Sequence, residues 1–279
     1  MNVIDTHAHF WDVGRFDYPW IEKGSFFYRN FLLSDYQKAS NNVPIKKMIF
    51  VECNCSPEFS EEEADWVIQN AKLDHRICGI VSHVPLTDEY GVDARLERMA
   101  DKPLVKGIRH NIQFEQTGFA TADVFVRGVK KVHQRKLHFE LCITHDQLGE
   151  TIELVRKCPE VFFILDHCGK PAIKAGIREP WMTEIKELAL FDNVVCKISG
   201  LLTEADTKEW KTEEILFYAN HAVEVFGTSR VMFGSDWPVS ELAGGYLTWY
   251  DLTRTLTKSW NRDEKEDFYY KNAEKFYRL

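Results

Sequence analysis

Eight short runs of apolar and β-branched residues recur along the chain: Val3–Thr6, Lys47–Cys53, Ile77–Val84, Leu104–His110, Leu137–Ile143, Val161–His167, Asn193–Ser199 and Arg230–Asp236. Most are hydrophobic almost throughout rather than at alternate positions, as expected of strands covered on both faces of a parallel sheet. Parallel strands need crossover connections, and helical patterns stand between the runs. Glu61–Leu73 places Ala64, Val67, Ile68 and Ala71 on one face and opens with acidic residues. Asp123–Arg135, with Asp123 as its N-cap, carries Phe125, Val129 and Val132 on one side. Gln147–Lys157, Pro180–Leu190, Thr212–Phe226 and Tyr246–Lys258 are patterned similarly, and Asn261–Leu279 reads as a closing helix. The alternation predicts an α/β chain folded as a (β/α)8 TIM barrel. An open dinucleotide-binding sheet would place a glycine-rich turn after its first strand. The turn here is Thr6-His7-Ala8-His9-Phe10-Trp11, which has no glycine at all.

The length of 279 residues suits one such barrel, so a single domain over 1–279 is expected. The segment from about 10 to 45 has no clear strand, is rich in aromatic residues and holds one short helical pattern at Leu33–Ala39. A connection of this length after the first strand would lie over the catalytic face of a barrel. Hydrophobic residues make up 44% and charged residues 28%, the balance of an ordinary globular chain. A formal charge of -8 argues against nucleic acid or an anionic membrane as partner. The seven cysteines are scattered and odd in number, and Cys53-Asn54-Cys55 has the spacing of neither a zinc knuckle nor a redox pair. The chain opens on Asn2-Val3-Ile4-Asp5 without a basic and apolar leader, and no apolar run approaches the ~20 residues of a membrane helix, so cytoplasm is the expected compartment.

In a barrel the C-terminal ends of the strands meet at one mouth, whatever their separation in sequence. Collecting those ends brings together His7, His9, Glu52, Asn54, His83, Lys106, Arg109, His110, His145, His167, Lys197, Ser199 and Asp236. His7 and His9 are two apart on a strand and point to the same side. With a carboxylate they can hold Zn²⁺ or donate to a carbonyl oxygen. Asp236 ends the last run in Phe233-Gly234-Ser235-Asp236-Trp237-Pro238, placing it beside the first strand once the barrel closes. A carboxylate there can act as general base toward a water. Asp166 and His167 have opposite parity, so one of them should face inward, and His167 is the expected one. The cationic and donor groups Lys106, Arg109, His110 and Lys197 are candidates for binding substrate, and Trp11 and Trp237 flank the catalytic motifs as stacking platforms.

These motifs resemble the amidohydrolase-2 branch of the amidohydrolase superfamily. The likeness rests on Asp5-Thr6-His7-Ala8-His9-Phe10-Trp11-Asp12, Val105-Lys106-Gly107-Ile108-Arg109-His110, Leu165-Asp166-His167-Cys168-Gly169-Lys170-Pro171, Cys196-Lys197-Ile198-Ser199-Gly200-Leu201 and Phe233-Gly234-Ser235-Asp236-Trp237-Pro238. More narrowly, the chain is similar to the lactonase group, and to its L-fuconolactonase and L-rhamnonolactonase types in particular. The resemblance implies attack of water, activated by Asp236, on the carbonyl of a small sugar-acid lactone. His7, His9 and His167 would polarise that carbonyl directly or through one divalent ion, Zn²⁺ being the expected one, held by His7, His9, His167 and Asp236. Glu52 is an additional candidate ligand. No bridging lysine ends the expected strand and no second histidine pairs with His167 unless His145 reaches in, so the implied cofactor is none or one cation. Two alternatives stand beside this: a metal-dependent non-oxidative decarboxylase of an aromatic or muconate-type acid, and a catalytically inactive barrel used for binding.

Overall fold

The computed structural model describes residues 1–279. Eight strands, β1 (Val3–Ala8), β2 (Ile45–Val51), β3 (Ile77–His83), β4 (Val105–Arg109), β5 (His138–Leu141), β6 (Phe163–Leu165), β7 (Val194–Ile198) and β8 (Val231–Phe233), pair in sequence order, every pair parallel. The helices are α1 (Leu33–Ala39), α2 (Ser60–Leu73), α3 (Val92–Ala100), α4 (Asp123–Gln134), α5 (Leu148–Lys157), α6 (Trp181–Leu188), α7 (Leu201–Glu204), α8 (Thr212–Phe226), α9 (Gly245–Leu256), α10 (Arg262–Glu266) and α11 (Asn272–Tyr277). All eight expected strands are present within a few residues of their sequence bounds, and α1 and α8 coincide with theirs. Asp123 opens α4 rather than capping it, since Ala122 holds the extended cap position. The closing segment is two short helices joined by a π-helical turn at Asp267–Lys271, and α3 and α7 had no distinct signal in the sequence. No helix is long and apolar enough to cross a membrane.

The ends of the sheet meet through backbone. His9 N–H donates to the Trp237 carbonyl at 2.7 Å, Asp236 N–H donates to the His7 carbonyl at 2.8 Å, and Ala8 bridges Trp237 in parallel. Asp5 reinforces the seam: its fully buried carboxylate accepts Ser235 N–H at 2.9 Å and the hydroxyls of Tyr36 and Tyr246 at 2.9 and 3.0 Å. These contacts tie α1 and α9 to the junction that places His7 beside Asp236.

Most of the apolar core lies between the strands and the surrounding helices. Inside the barrel, Ile49, Val51, Val81, Ile164, Val195 and Met232 form a smaller cluster closed by Tyr277 of α11. Next to this cluster the interior is ionic, with Glu52, Arg109, Glu140, Asp166 and Lys197 all buried. A barrel interior is usually filled by layers of branched apolar side chains. Burying charges costs several kcal/mol per ion unless they are paired, and every one of these has an opposite charge beside it.

Candidate active site

Three imidazoles converge on one carboxylate oxygen. His9 Nε2 lies 3.4 Å, His7 Nε2 3.7 Å and His167 Nε2 3.8 Å from Asp236 Oδ1. Burial raises the pKa of Asp236, but the charge of His167, the hydrogen bond to His9 and the charges of His7 and His9 outweigh it, leaving the carboxyl well below the usual carboxylate range. Burial pushes the His167 imidazole down to about 4 against the pull of Asp236 and Asp166, so the ring is neutral at pH 7. Asp236 is therefore an ionised acceptor and His167 a neutral imidazole.

Local backbone makes this convergence. His167 and Cys168 both adopt left-handed φ, 52° and 54°, directly after β6. That break cancels the strand alternation, so Asp166 and His167 both face the interior, correcting the parity expectation that only His167 would. Asp166 is fully buried beneath His7, with Oδ2 accepting from Arg109 at 3.2 Å and Oδ1 lying 3.0 Å from Lys197 Nζ. Gly200, at φ 67°, lets the His167 ring approach: a Cβ there would sit 2.5 Å from His167 Nδ1. The same nitrogen pairs with Ser199 Oγ at 2.9 Å. His9 Nδ1 faces the Val51 carbonyl at 2.8 Å, and because a carbonyl only accepts, Nδ1 carries a proton and Nε2 is the nitrogen turned to the site.

Arg109 lies inside the barrel, donating to Glu52 Oε1 at 2.6 Å, to the Glu52 carbonyl at 2.8 Å and to Asp166. Glu52 spends its other oxygen on Asn54 N–H at 2.5 Å. Burial raises the pKa of Glu52, yet Arg109 and His83 bring it below the ordinary range. Glu52 is thus the counter-ion of Arg109 and has no oxygen free for a metal, against the sequence expectation.

A cavity of about 150 Å³ opens above Asp236, lined by His9, Trp11, Trp20, Arg109, His167 and Lys170, with Asn54, Asn111 and Gln113 on its polar side. Trp11 is held by its indole N–H on the Arg29 carbonyl at 2.9 Å and packs edge-on to Trp20. Lys170, which the sequence reading passed over although it stands in the His167 motif, donates to Gln113 Oε1 at 2.5 Å.

Four candidate substrate contacts lie elsewhere. Lys106 is the second residue of β4, far from the mouth, and its ammonium reaches the Arg278 carbonyl at the opposite end of the barrel. His110 accepts Leu86 N–H at 3.2 Å, pairs with Glu115 at 3.3 Å and packs on Phe125 outside the cavity. Trp237 turns away to pack on Phe31 and Tyr36, giving only its carbonyl to the site. Lys197 is fully buried under His7, its ammonium 3.1 Å from His7 Nδ1 and 2.5 Å from Glu140 Oε2. His145 begins a 3₁₀ turn and does not line the cavity.

The donor set fits a divalent cation. His7, His9 and Asp236 present ligand atoms within 4.8 Å of one another. Tetrahedral Zn²⁺ with bonds of ~2.0–2.1 Å keeps its ligand atoms roughly 3.3 Å apart, and the three separations here are 3.1, 3.4 and 3.7 Å. Two imidazoles and a carboxylate are the ligand types zinc prefers.

Residues 4–279 match the family described as Amidohydrolase. The chain belongs to that family. It is 29% identical to an L-fucono-1,5-lactonase of Burkholderia multivorans over 92% of this chain and 88% of the relative. Against an L-fucono-1,5-lactonase of Burkholderia ambifaria it is 27% identical over 99% of this chain and 95% of the other. A crystal structure of a Burkholderia multivorans amidohydrolase with bound Zn superposes over 100% of both chains with a TM-score of 0.88 at 27% identity.

Proposed function

We propose that this protein hydrolyses a sugar-acid lactone of the L-fucono- or L-rhamnono-lactone type to the open aldonic acid. The carrying observation is the convergence of His7, His9 and His167 on Asp236 Oδ1 at the base of a small cavity. That cavity is below the ~300–1,000 Å³ of pockets for drug-sized ligands, which suits a single small ring. Trp11 and Trp20 offer an aromatic wall for the apolar face of the ring, and Asn54, Gln113 and Lys170 offer hydrogen bonds to its hydroxyls. The two L-fucono-1,5-lactonases similar along nearly the whole chain support the same substrate class.

Asp236 Oδ1 holds a water against the lactone carbonyl carbon and takes one of its protons as the oxygen attacks. The carbonyl oxygen gains negative charge, which imidazole N–H groups stabilise. As the tetrahedral intermediate collapses, the ring C–O bond breaks and the proton held by Asp236 passes to the leaving oxygen. The products are a carboxylic acid and a hydroxyl on one open chain. A divalent ion bound by His7, His9 and Asp236 would add Lewis-acid polarisation and lower the pKa of the water. The test is a panel of aldonolactones assayed by proton release, with and without chelator. Hydrolysis of an L-fucono- or L-rhamnono-lactone above the blank is expected. No turnover of any aldonolactone in either arm overturns the proposal.

A further inference from the structure

The end of the barrel away from the candidate active site holds a second cavity, of about 650 Å³. It opens where β5, β6, β7 and β8 begin, and the end of α11 with Arg278 closes its side. Chemistry in this fold sits at the opposite face, so the proposed reaction does not account for it.

The floor is apolar apart from one group. Leu137 and Val195 are buried, and the Phe162 and Phe276 rings lie 5.5 Å apart with their planes 33° from parallel. Beside them His138, 3% exposed, also lines the cavity. Its Nε2 donates to Glu140 Oε1 at 3.3 Å, an oxygen that accepts from Tyr277 Oη at 2.5 Å as well. The ring is wedged between Tyr277, 5.0 Å away, and β4, where a Cβ on Gly107 would lie 2.1 Å from Nε2. Its Nδ1 is buried with no hydrogen-bond partner, a condition native folds rarely tolerate. Burial holds the His138 pKa below its ordinary value, so the ring is neutral at pH 7 and Nδ1 is an acceptor that calls for an O–H.

The rim is charged. Lys136, Arg230, Lys275 and Arg278 stand against Glu160 and Asp192, a surplus of two positive charges in a chain whose formal charge is -8. No cation of this rim pairs with a carboxylate. Arg230 gives its N–H groups to the carbonyls of Phe226, Phe191, Val194 and Ala189, which leaves one of five free. Arg278 gives one to the Lys136 carbonyl at 2.7 Å, and the Lys275 ammonium lies over the Phe276 ring. Two uncompensated charges match a phosphate monoester, which carries roughly -1.5 to -2 at pH 7. The volume falls within the ~300–1,000 Å³ of small-molecule sites, far more than a bare phosphate fills, and the apolar floor suits the face of a ring.

We propose that this cavity is a second ligand site, for the phosphate monoester of a small hydroxylated ring compound. Lys136, Lys275, Arg278 and the free N–H of Arg230 hold the phosphate, the phenylalanine pair carries the ring, and His138 Nδ1 accepts a hydroxyl. The site is independent of what the protein hydrolyses.

Isothermal titration of the full chain with a hexose 6-phosphate, a nucleoside 5′-monophosphate and inorganic phosphate tests this, the first two arms separating a sugar source from a nucleotide one. At least one ester should bind with a Kd below about 1 mM, tenfold or more tighter than inorganic phosphate, as the extra contacts of its body require. Lys136→Gln/Lys275→Gln, which removes two charges that hold no hydrogen bond in the fold, should weaken that ester at least tenfold. Lys186→Gln/Lys258→Gln, which removes the same charge from exposed positions elsewhere, should leave it unchanged. Absence of binding by both esters, inorganic phosphate binding as tightly as either, or equal affinity in the Lys136/Lys275 variant overturns the proposal. Failure of wild type on every lactone would remove the substrate reading and leave these results standing.

Discussion

Replacing Arg109 with Met probes the ionic layer of the barrel. Arg109 is 4% exposed and serves two buried carboxylates, Glu52 and Asp166, as well as the Glu52 carbonyl. Removing one partner of a buried pair costs about 3–5 kcal/mol, because the remaining charge stays desolvated. Met fills much of the aliphatic volume, so the loss is electrostatic more than steric. Against a total stability of roughly 5–15 kcal/mol this is severe, and it should lower Tm by on the order of 10 °C. The pH dependence carries the sign. In the wild type, burial raises the pKa of Glu52 but Arg109 and His83 bring it below normal, so folding favours the ionised form. Without the guanidinium, burial prevails and the folded-state value rises above that of the unfolded chain. The variant's folded state then takes up a proton more readily than its unfolded state, so its deficit is largest near pH 8 and narrows toward pH 5. Thermal melts and urea titrations at both pH values measure this, and Arg109→Met/Glu52→Gln should recover part of the loss. A variant melting within about 2 °C of wild type at pH 8, or a deficit that grows at pH 5, would refute the reasoning.

Asp236→Asn should lower kcat on the best lactone by on the order of 10²–10⁴ with folding intact, as for loss of a general base; near-normal kcat would exclude Asp236 from that role. Gly200→Ala forces a Cβ against His167 at a left-handed position, so kcat should fall roughly 10²-fold, as a misplacement near 1 Å can cause. Equal kinetics in that variant would mean that His167 need not be held where it is. His83 and His167 are both pushed down to about 4, by burial first. The unfolded chain therefore binds their protons near pH 6.5 while the folded chain does not, and stability is lost as pH falls from about 6.5 toward 4, by up to ~1.4 kcal/mol per unit for each histidine. Urea midpoints at pH 7, 5.5 and 4.5 follow the decline, and His83→Gln should flatten it; a flat wild-type profile in that window would contradict the buried neutral state.

Sequence alone determined the barrel, because eight apolar runs separated by helical patterns have few ways to bury themselves. It also brought His7, His9, His167 and Asp236 together, since the ends of parallel strands share one mouth whatever their chain separation. Tertiary structure decided what parity and proximity along the chain could not. The left-handed backbone at His167 turned both Asp166 and His167 inward, a departure that strand alternation has no means of signalling. Lys106 and Lys197 looked alike as lysines on apolar strands, yet one reaches the outer end of the barrel and the other lies under His7. The difference is their height along the strand and the partners at that height, Glu140 and Tyr277 for Lys197, which lie 137 residues apart in the chain and meet only in the folded interior.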